Sequence, residues 1–473
     1  MRNYILLFLC MTSAIVNAKV YDVTTYGAKA DGKTIDSPAI NKAIEDAAAN
    51  GGGTIYFPAG NYACYSIRLA SHVNLYLEQG CTIIGEFPTD KEGYDEAEEN
   101  EHNQFQDFGH SHWKNSLIWG IGLEDITISG PGLIYGKGLT REESRLAGVG
   151  NKVISLKLCK NVTIRDIKMV RCGHFALLAT GVDNLSIQNV TVDTNRDGFD
   201  IDCCKNVRIS QCTVNSPWDD AIVLKASYAL GYFKDTENVT ISDCFVSGYD
   251  RFTVYDCTWQ RDEPQAPDHG FVTGRIKCGT ESSGGFKNIA ITNCIFERCR
   301  GLALETVDGG ALEDIVISNI TMRDIVNSPI FLRLGARLRS PKGTAVGTMK
   351  RVLISNINVF NADSRYSSII SGIPEAIIED ITLSNIHIWY QGGYSKEDVN
   401  EVIPEQEKLY PEPWMFGTVP AKGFYIRHAK GITLDNVNFH YQNTDSRPLF
   451  VTDDVINITY RNITVDGEEY KTE

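Results

Sequence analysis

Beyond its first 18 residues the sequence has no apolar run near the roughly 18–20 residues that a membrane-spanning helix needs. It is also short of positive charge: 45 Lys and Arg stand against 60 Asp and Glu, a formal net charge of −15. Nucleic acid is therefore not an expected partner, because phosphate binding is driven by clustered Lys and Arg. The overall balance leaves the substrate open, since local charge in a groove decides that. A metal centre has little support either. His110 and His112 share a loop with His102, but no clear third ligand follows them, and an ordinary polar loop is the expectation.

What is present begins with a leader. MRNYILLFLCMTSAIVNA places Arg2 before an apolar run and small residues, with Ala18 at a cleavage point, so residues 1–18 read as a signal peptide. Cys10 lies too early in that run, and follows Leu9 instead of a small residue, to be a lipoprotein cysteine. The mature chain is expected to be exported, periplasmic or extracellular, with no membrane span.

One unit then recurs. NVTIRDI starts at Asn161, NLSIQNV at Asn184, NVRISQC at Asn206, NVTISDC at Asn238 and NIAITNC at Asn288. It continues from anchors at Asp314, Arg351, Asp380, Gly431 and Asn457. Each unit alternates apolar and polar residues, the mark of a strand, and the closest anchors are 23 and 22 residues apart. That period predicts an all-β fold, a single-stranded right-handed parallel β-helix in which each coil stacks on the last over a continuous core.

The sixth position after each anchor predicts the core column: Ile167, Val190, Cys212, Cys244, Cys294, Ile320, Ile357, Ile386, Val437 and Ile463. Cys212, Cys244 and Cys294 are therefore expected as buried small hydrophobes. The pairing of Cys203, Cys204, Cys257, Cys278 and Cys299 stays open. The repeat predicts one body over residues 19–473, capped at about 19–60 by a helix in IDSPAINKAIEDAAANGGG. Ser37 or Asp36 is its N-cap, and Ile40, Ala43, Ile44 and Ala47 form its apolar face. Loop insertions are expected at about 86–115, 256–274 and 390–422, the last carrying Tyr410 and a Trp414 that packs against the wall.

Counted from their anchors, Asp197 and Asp219 each stand thirteen residues on, as does His174 one coil earlier. They are expected to share one position on adjacent coils about 4.8 Å apart, with Asp220 next door. Stacked carboxylates repel unless paired or protonated, and their pKa values are pushed apart, which supplies an acid and a base at one pH. Glycoside hydrolysis needs that pair. Asp200 and Asp202 are expected to cap turns. Two other readings use the same residues: a calcium site in a polysaccharide lyase, and a non-catalytic glycan-binding helix.

The order Asn195-Arg196-Asp197, then Asp219-Asp220 one coil later, resembles glycoside hydrolase family 28, the polygalacturonases and rhamnogalacturonan hydrolases of the pectin-lyase-like β-helix type. The resemblance extends over the mature chain from YDVTTYGAKADGKTIDSPAI to the last coils. It implies a pectic polysaccharide or oligosaccharide substrate, inversion of configuration, Asp219 as general acid, Asp197 with Asp220 activating water, and no cofactor or metal. Arg196 stands where the family has Thr. The family's Gly-His-Gly is matched to SGYDRFTVYDC, with Asp250 and Arg251, and His269-Gly270 falls in an insertion.

The family's Arg-Ile-Lys is matched to GLALETVDGG, with Ala303 and Glu305, and the Arg-Ile-Lys at 275–277 is read as coincidental. Without both cations a galacturonate at the cleavage subsite loses its natural partner, so a neutral pectic sugar is equally expected. The expected substrate-binding residues are Asn195, Arg196, His174, Lys225, Asp250, Arg251, Lys277 and Arg300. Insertions near the groove lean towards exo attack.

Overall fold

The computed structural model describes residues 19–141, 146–262, 272–399 and 402–471. The signal peptide expected over 1–18 and the pair His269-Gly270 lie outside the described residues. The described strands join one continuous sheet in which the pairing is parallel, except for a short antiparallel return at Glu468–Glu469. This is the right-handed parallel β-helix. Its apolar core runs from Val23 to Ile463 along the helix axis.

The repeat has a backbone cause. Each of the ten anchors, from Asn161 to Asn457, has a positive φ between 53° and 70°, and the residue five positions later in each unit has one between 51° and 66°. Left-handed backbone is unfavourable for most L-residues and tolerated by Asn, Asp and Gly, which explains why those types dominate both positions. Each unit thus carries two corners with a short straight segment between them. Along the outer corner the amide of Asn184 donates to Asn161 at 2.8 Å, Asn206 to Asn184 at 3.1 Å, Asn238 to Asn206 at 3.0 Å and Asn288 to Asn238 at 2.7 Å. Arg351 is the exception among the anchors, and its guanidinium grips Asp314 and Glu313 at 2.7 and 2.8 Å.

The whole expected core column is buried, Cys212, Cys244 and Cys294 included. All cysteines among the described residues are free thiols, and only Cys257 is exposed. Helix α1, Ser37–Ala49, packs Ile40, Ala43, Ile44 and Ala47 onto the first strands. Asp36 holds the N-cap position but makes no capping bond to α1. Its carboxylate instead accepts the backbone N–H groups of Lys29 and Ala30 at 2.7 and 3.0 Å.

Six strands of the groove face stack in order: β1 Phe175–Thr180, β2 Asp197–Asp202, β3 Ile222–Ala226, β4 Ile276–Ser282, β5 Leu302–Thr306 and β6 Ile330–Leu334. Their register corrects the count from the anchors. Phe175 pairs with Asp197, and Phe199 with Ile222, while Gly198 N–H donates to Asp220 O at 3.0 Å. Asp197 therefore lies beside Asp220 and not Asp219, and His174 lies one step before it. The corners before β2 and β3 differ by one residue, which anchor counting cannot detect. The loop expected to be ordinary and polar is also different: His110, Ser111, His112 and Trp113 are buried, and Trp113 packs on Phe175, Leu178 and Ala229.

Candidate active site

Asp197 opens β2, and Asp219 and Asp220 close the corner before β3, so three carboxylates converge at one edge of the groove. One oxygen of each lies within 4.8 Å of the others. Asp197 and Asp220 are buried, whereas the Asp219 side chain is 21 % exposed. They border a cavity of about 280 Å³ together with Asp107, His110, Arg196, Lys225, Lys277, Thr280, Glu281 and Tyr410.

Cations separate the three acids electrostatically. Burial raises the Asp197 carboxyl well above the usual range, and the Asp219 charge pushes it the same way. Burial acts alike on Asp220, but Lys277 and Arg275 overcome it and hold this carboxyl at about 2. Arg275 Nε donates to Asp220 Oδ1 at 2.9 Å, and Lys277 Nζ stands 3.5 Å from the other oxygen. Arg196 Nε reaches Asp219 at 3.1 Å. The site thus sets a carboxyl raised by burial beside one lowered by its cations.

Arg275 and Lys277 lie one coil before the β5 position assigned to the family's Arg-Ile-Lys, yet both reach Asp220, which corrects the expectation that the cleavage subsite lacks its cations. Ile276 pairs with Ile222 and Lys277 with Val223, so β4 lies directly on the coil of Asp219 and Asp220. Gly274 N–H donates to Asp219 O at 2.9 Å, so Thr273-Gly274-Arg275 occupies the place assigned to SGYDRFTVYDC. The insertion is responsible, because the chain leaves the coil after Ser247 and rejoins it only at Thr273. Asp250 is consequently outside the cavity, with its carboxylate 3.7 Å from Arg298. Arg251 lies over the Trp218 ring, 3.9 Å from its centroid. Ala303 and Glu305 are on β5 as expected, and Glu305 meets Lys277 at 3.2 Å.

A second buried cluster lies towards the far ends of the same strands. Lys225 Nζ is 3.0 Å from Asp200 and 3.2 Å from Glu281, and His110 Nε2 is 3.0 Å from Asp200 and in contact with Lys225. Asp200 is therefore a buried ion-pair partner and not a turn cap. Asp202 does bind a backbone group, accepting Ser227 N–H at 2.7 Å. His174 is buried against Phe175, and burial together with Arg196 and His110 drives its imidazole well below its ordinary pKa, leaving it neutral. It does not border the cavity.

The third insertion supplies groups with no sequence signal. Tyr410 Oη meets Lys277 Nζ at 3.2 Å. Glu412 binds Arg275, accepts Arg300 Nη1 at 2.7 Å and Asn327 Nδ2 at 3.3 Å, and is held at about 2 against its burial by those arginines. Arg300 thus supports the site from behind Glu412. Trp414 is 40 % exposed, and its neighbours Met415 and Phe416 do the packing that was expected of it. From the other side, Asp107 of the first insertion accepts Arg339 Nη2 at 2.9 Å. Asn195 borders the same corner, its side chain 3.4 Å from Thr194 Oγ1.

Of the missed residues, Arg275 was legible as the Thr-Gly-Arg just before the Ile-Lys-Cys strand. No sequence signal placed His110, Glu281, Tyr410 or Glu412 at the carboxylates. Two trios have metal-binding reach, Asp197–Asp219–Asp220 and His110–Asp197–Asp200. In both, the protein's own cations already sit on the donors: Arg275 and Lys277 on Asp220, Arg196 on Asp219, and Lys225 on Asp200 and His110. That charge balance does not fit a divalent ion.

The fold and the site define a parallel β-helix with clustered carboxylates in its groove. Residues 100–407 match glycosyl hydrolases family 28, and residues 20–88 match the rhamnogalacturonase A/epimerase, pectate lyase-like family. The chain belongs to glycosyl hydrolases family 28. It is 24 % identical over 324 residues to a probable polygalacturonase of Vitis vinifera, covering 63 % of this chain and 60 % of that protein, so it spans less than two thirds of that relative. An exo-poly-alpha-D-galacturonosidase of Dickeya chrysanthemi is 23 % identical over 464 residues, 86 % of this chain and 74 % of the other. The fold matches the family 28 exopolygalacturonase of Yersinia enterocolitica with a TM-score of 0.68 at 16 % identity, covering 93 % and 78 % of the two chains. It matches the exopolygalacturonase of Thermotoga maritima at 0.63 and 18 %, covering 89 % and 91 %.

Proposed function

We propose that the protein is an exported glycoside hydrolase that cleaves α-glycosidic bonds of pectic polysaccharide from a chain end. The observation that carries this reading is the gathering of Asp197, Asp219 and Asp220 with one oxygen of each within 4.8 Å of the others, where burial raises the Asp197 carboxyl and Arg275 and Lys277 lower that of Asp220. Acid–base hydrolysis of a glycoside requires one group of each kind.

Asp219, whose side chain is more exposed than the buried Asp197, donates a proton to the leaving oxygen. Asp220 takes the proton of the attacking water. Family membership supports inversion. The carboxylate spacing does not argue for it, since oxygens within 4.8 Å are closer than the roughly 6.5–9.5 Å of the usual inverting pair. Following the anomeric signal of the first product by NMR decides the outcome.

Exo attack is supported by the insertions. Asp107–Arg339 on one side and Tyr410–Lys277 with Glu412 on the other wall the carboxylates into a cavity of about 280 Å³, small beside an open groove for many sugar residues. The test is product analysis on a panel of pectic polysaccharides, with Asp219→Asn as control. Saturated mono- or disaccharide released only by the parent protein is the expected result. An unsaturated product absorbing in the ultraviolet would replace hydrolysis by a lyase reaction, and equal release by the control would remove Asp219 from the chemistry.

A further inference from the structure

The Lys277 ammonium carries three N–H donors, and three acceptors stand around it: Glu305 Oε2 at 3.2 Å, Tyr410 Oη at 3.2 Å and Asp220 Oδ2 at 3.5 Å. The first two are within normal hydrogen-bond reach, and the third lies beyond it. The oxygens of Asp220 are consequently unequal. Oδ1 accepts Arg275 Nε at 2.9 Å, whereas Oδ2 faces the ammonium across the longer gap. Burial acts to lower the pKa of Lys277, but Asp220, Glu305 and Tyr410 together overcome it and raise it, so the ammonium stays charged between them.

Glu305 is fully buried on β5, behind Lys277, and does not border the cavity. Its Oε2 also accepts Thr280 Oγ1 at 3.2 Å, and its Oε1 lies 3.9 Å from Arg275 Nη2 with no hydrogen bond among the described residues. A carboxylate bonded so incompletely is costly to bury, and an apolar side chain would fill the same strand position without that penalty. Burial pushes the carboxyl up to about 7 against the pull of Lys277 and Arg275, and Glu412 and Asp220 add to the rise. On the next coil Arg333 pairs with Glu305 in register. Its guanidinium turns away, to Ser371 and to the carbonyls of Gly372, Glu405 and Gln406.

We propose that Glu305 is a positioning residue: with Tyr410 it draws the Lys277 ammonium back from Asp220 Oδ2 and leaves that oxygen open to take the proton of the attacking water. This rests on the reading of Asp220 as the base of a pectic hydrolase. If Lys277 closed on Oδ2, Asp220 would be bonded at both oxygens and become a weaker base, and general-base efficiency follows basicity. From its present distance the lysine still favours the ionised carboxylate without covering it. Glu305 thus touches no substrate and acts only through Lys277.

The test begins with Glu305→Gln, which keeps the shape and removes the charge. Its kcat should fall roughly 10–100-fold with KM little changed, a part of what a general base supplies, and Glu305→Asp should recover some of the loss. In a Lys277→Met background the same substitution should have no effect on kcat, because its influence passes through the ammonium. Lys277→Met/Glu305→Gln removes both members of a buried pair, which a fold tolerates better than the loss of one. The ratio of parent to Glu305→Gln kcat should grow as the pH rises through about 7, since only the ionised carboxyl attracts Lys277. An equal loss in the Lys277→Met background, a rise in KM alone, or a ratio that shrinks with rising pH would each overturn the proposal. The displacement can also be read without turnover. In crystals of Glu305→Gln, Lys277 Nζ should stand roughly 2.7–3.2 Å from Asp220 Oδ2, and an unmoved ammonium would sink the proposal even in an active enzyme. Failure of the parent to cleave any pectic glycan would instead remove the hydrolase reading and leave the crystals to decide the Lys277 arrangement.

Discussion

Along the outer corner of the β-helix, Asn161, Asn184, Asn206, Asn238 and Asn288 repeat one residue on successive coils. Along the groove the residue at a given register position changes: Lys225 follows Asp202, and Arg333, Ser371 and Arg427 follow Glu305. An amide carries a donor and an acceptor, so identical asparagines satisfy one another indefinitely. A stack of identical charges does not, because each added carboxylate raises the cost of ionising the next. The groove therefore varies in charge from coil to coil, and where acids do gather, at Asp197, Asp219 and Asp220, burial raises one carboxyl while Arg275 and Lys277 lower another. Repetition marks structure in this molecule, and departure from it marks chemistry.

The comparison can be broken most sharply at the departure. Asp219→Asn should lower kcat by roughly 10²–10⁴-fold while leaving the thermal midpoint near that of the parent. Asp220→Asn in the same assay should lower kcat as far and also lower the midpoint, because it leaves Arg275 and Lys277 short of a buried partner. Glu412→Ala tests the groove from the opposite direction. It strands Arg275 and Arg300 in the interior without their shared counter-charge and should cost about 3–5 kcal/mol in denaturant unfolding.

The two split carboxyls should also give opposite pH slopes. The folded pKa of Asp220, about 2, lies below the unfolded value near 3.9. Its stabilising contribution is present above about pH 4 and is lost as the pH falls towards 2. Asp197 has a raised folded pKa, so its contribution is fullest in acid and is lost as the pH rises through that value. Unfolding midpoints across pH for the parent, Asp220→Asn and Asp197→Asn should show each slope disappear separately.

The repetitive side should respond more gently. Asn206→Ala removes one rung of the ladder and puts an alanine at a φ of 58°, which should cost about 1–2 kcal/mol with no change in kcat. Smallest of all, Cys244→Val restores the residue type that other coils carry at this core position and should change stability by less than about 1.5 kcal/mol. A larger effect would give the Cys212–Cys244–Cys294 column a role beyond packing.

The sequence was most legible where it repeats. Asn, Asp and Gly at left-handed corners, and Ile, Val or Cys six residues on, follow from local backbone and burial requirements that every coil shares. The carboxylates Asp197, Asp219 and Asp220 were legible for the complementary reason, as polar residues out of pattern beside the repeat. Counting failed only where a corner gained a residue or an insertion intervened. That is why Asp219 was set beside Asp197, and why Arg275 was not placed at the carboxylates.

His110, Tyr410 and Glu412 reach the site from loops 115, 133 and 137 residues distant from the strand residues they meet. No local rule connects such positions. By itself the sequence determined the coil, its corners, its core column and the acids at the groove, because each is a short-range consequence of backbone conformation and hydrophobic period. Only the tertiary structure decided which cation faces which acid, and so which carboxyl is raised and which is lowered. That depends on distances across coils and insertions which no periodicity encodes.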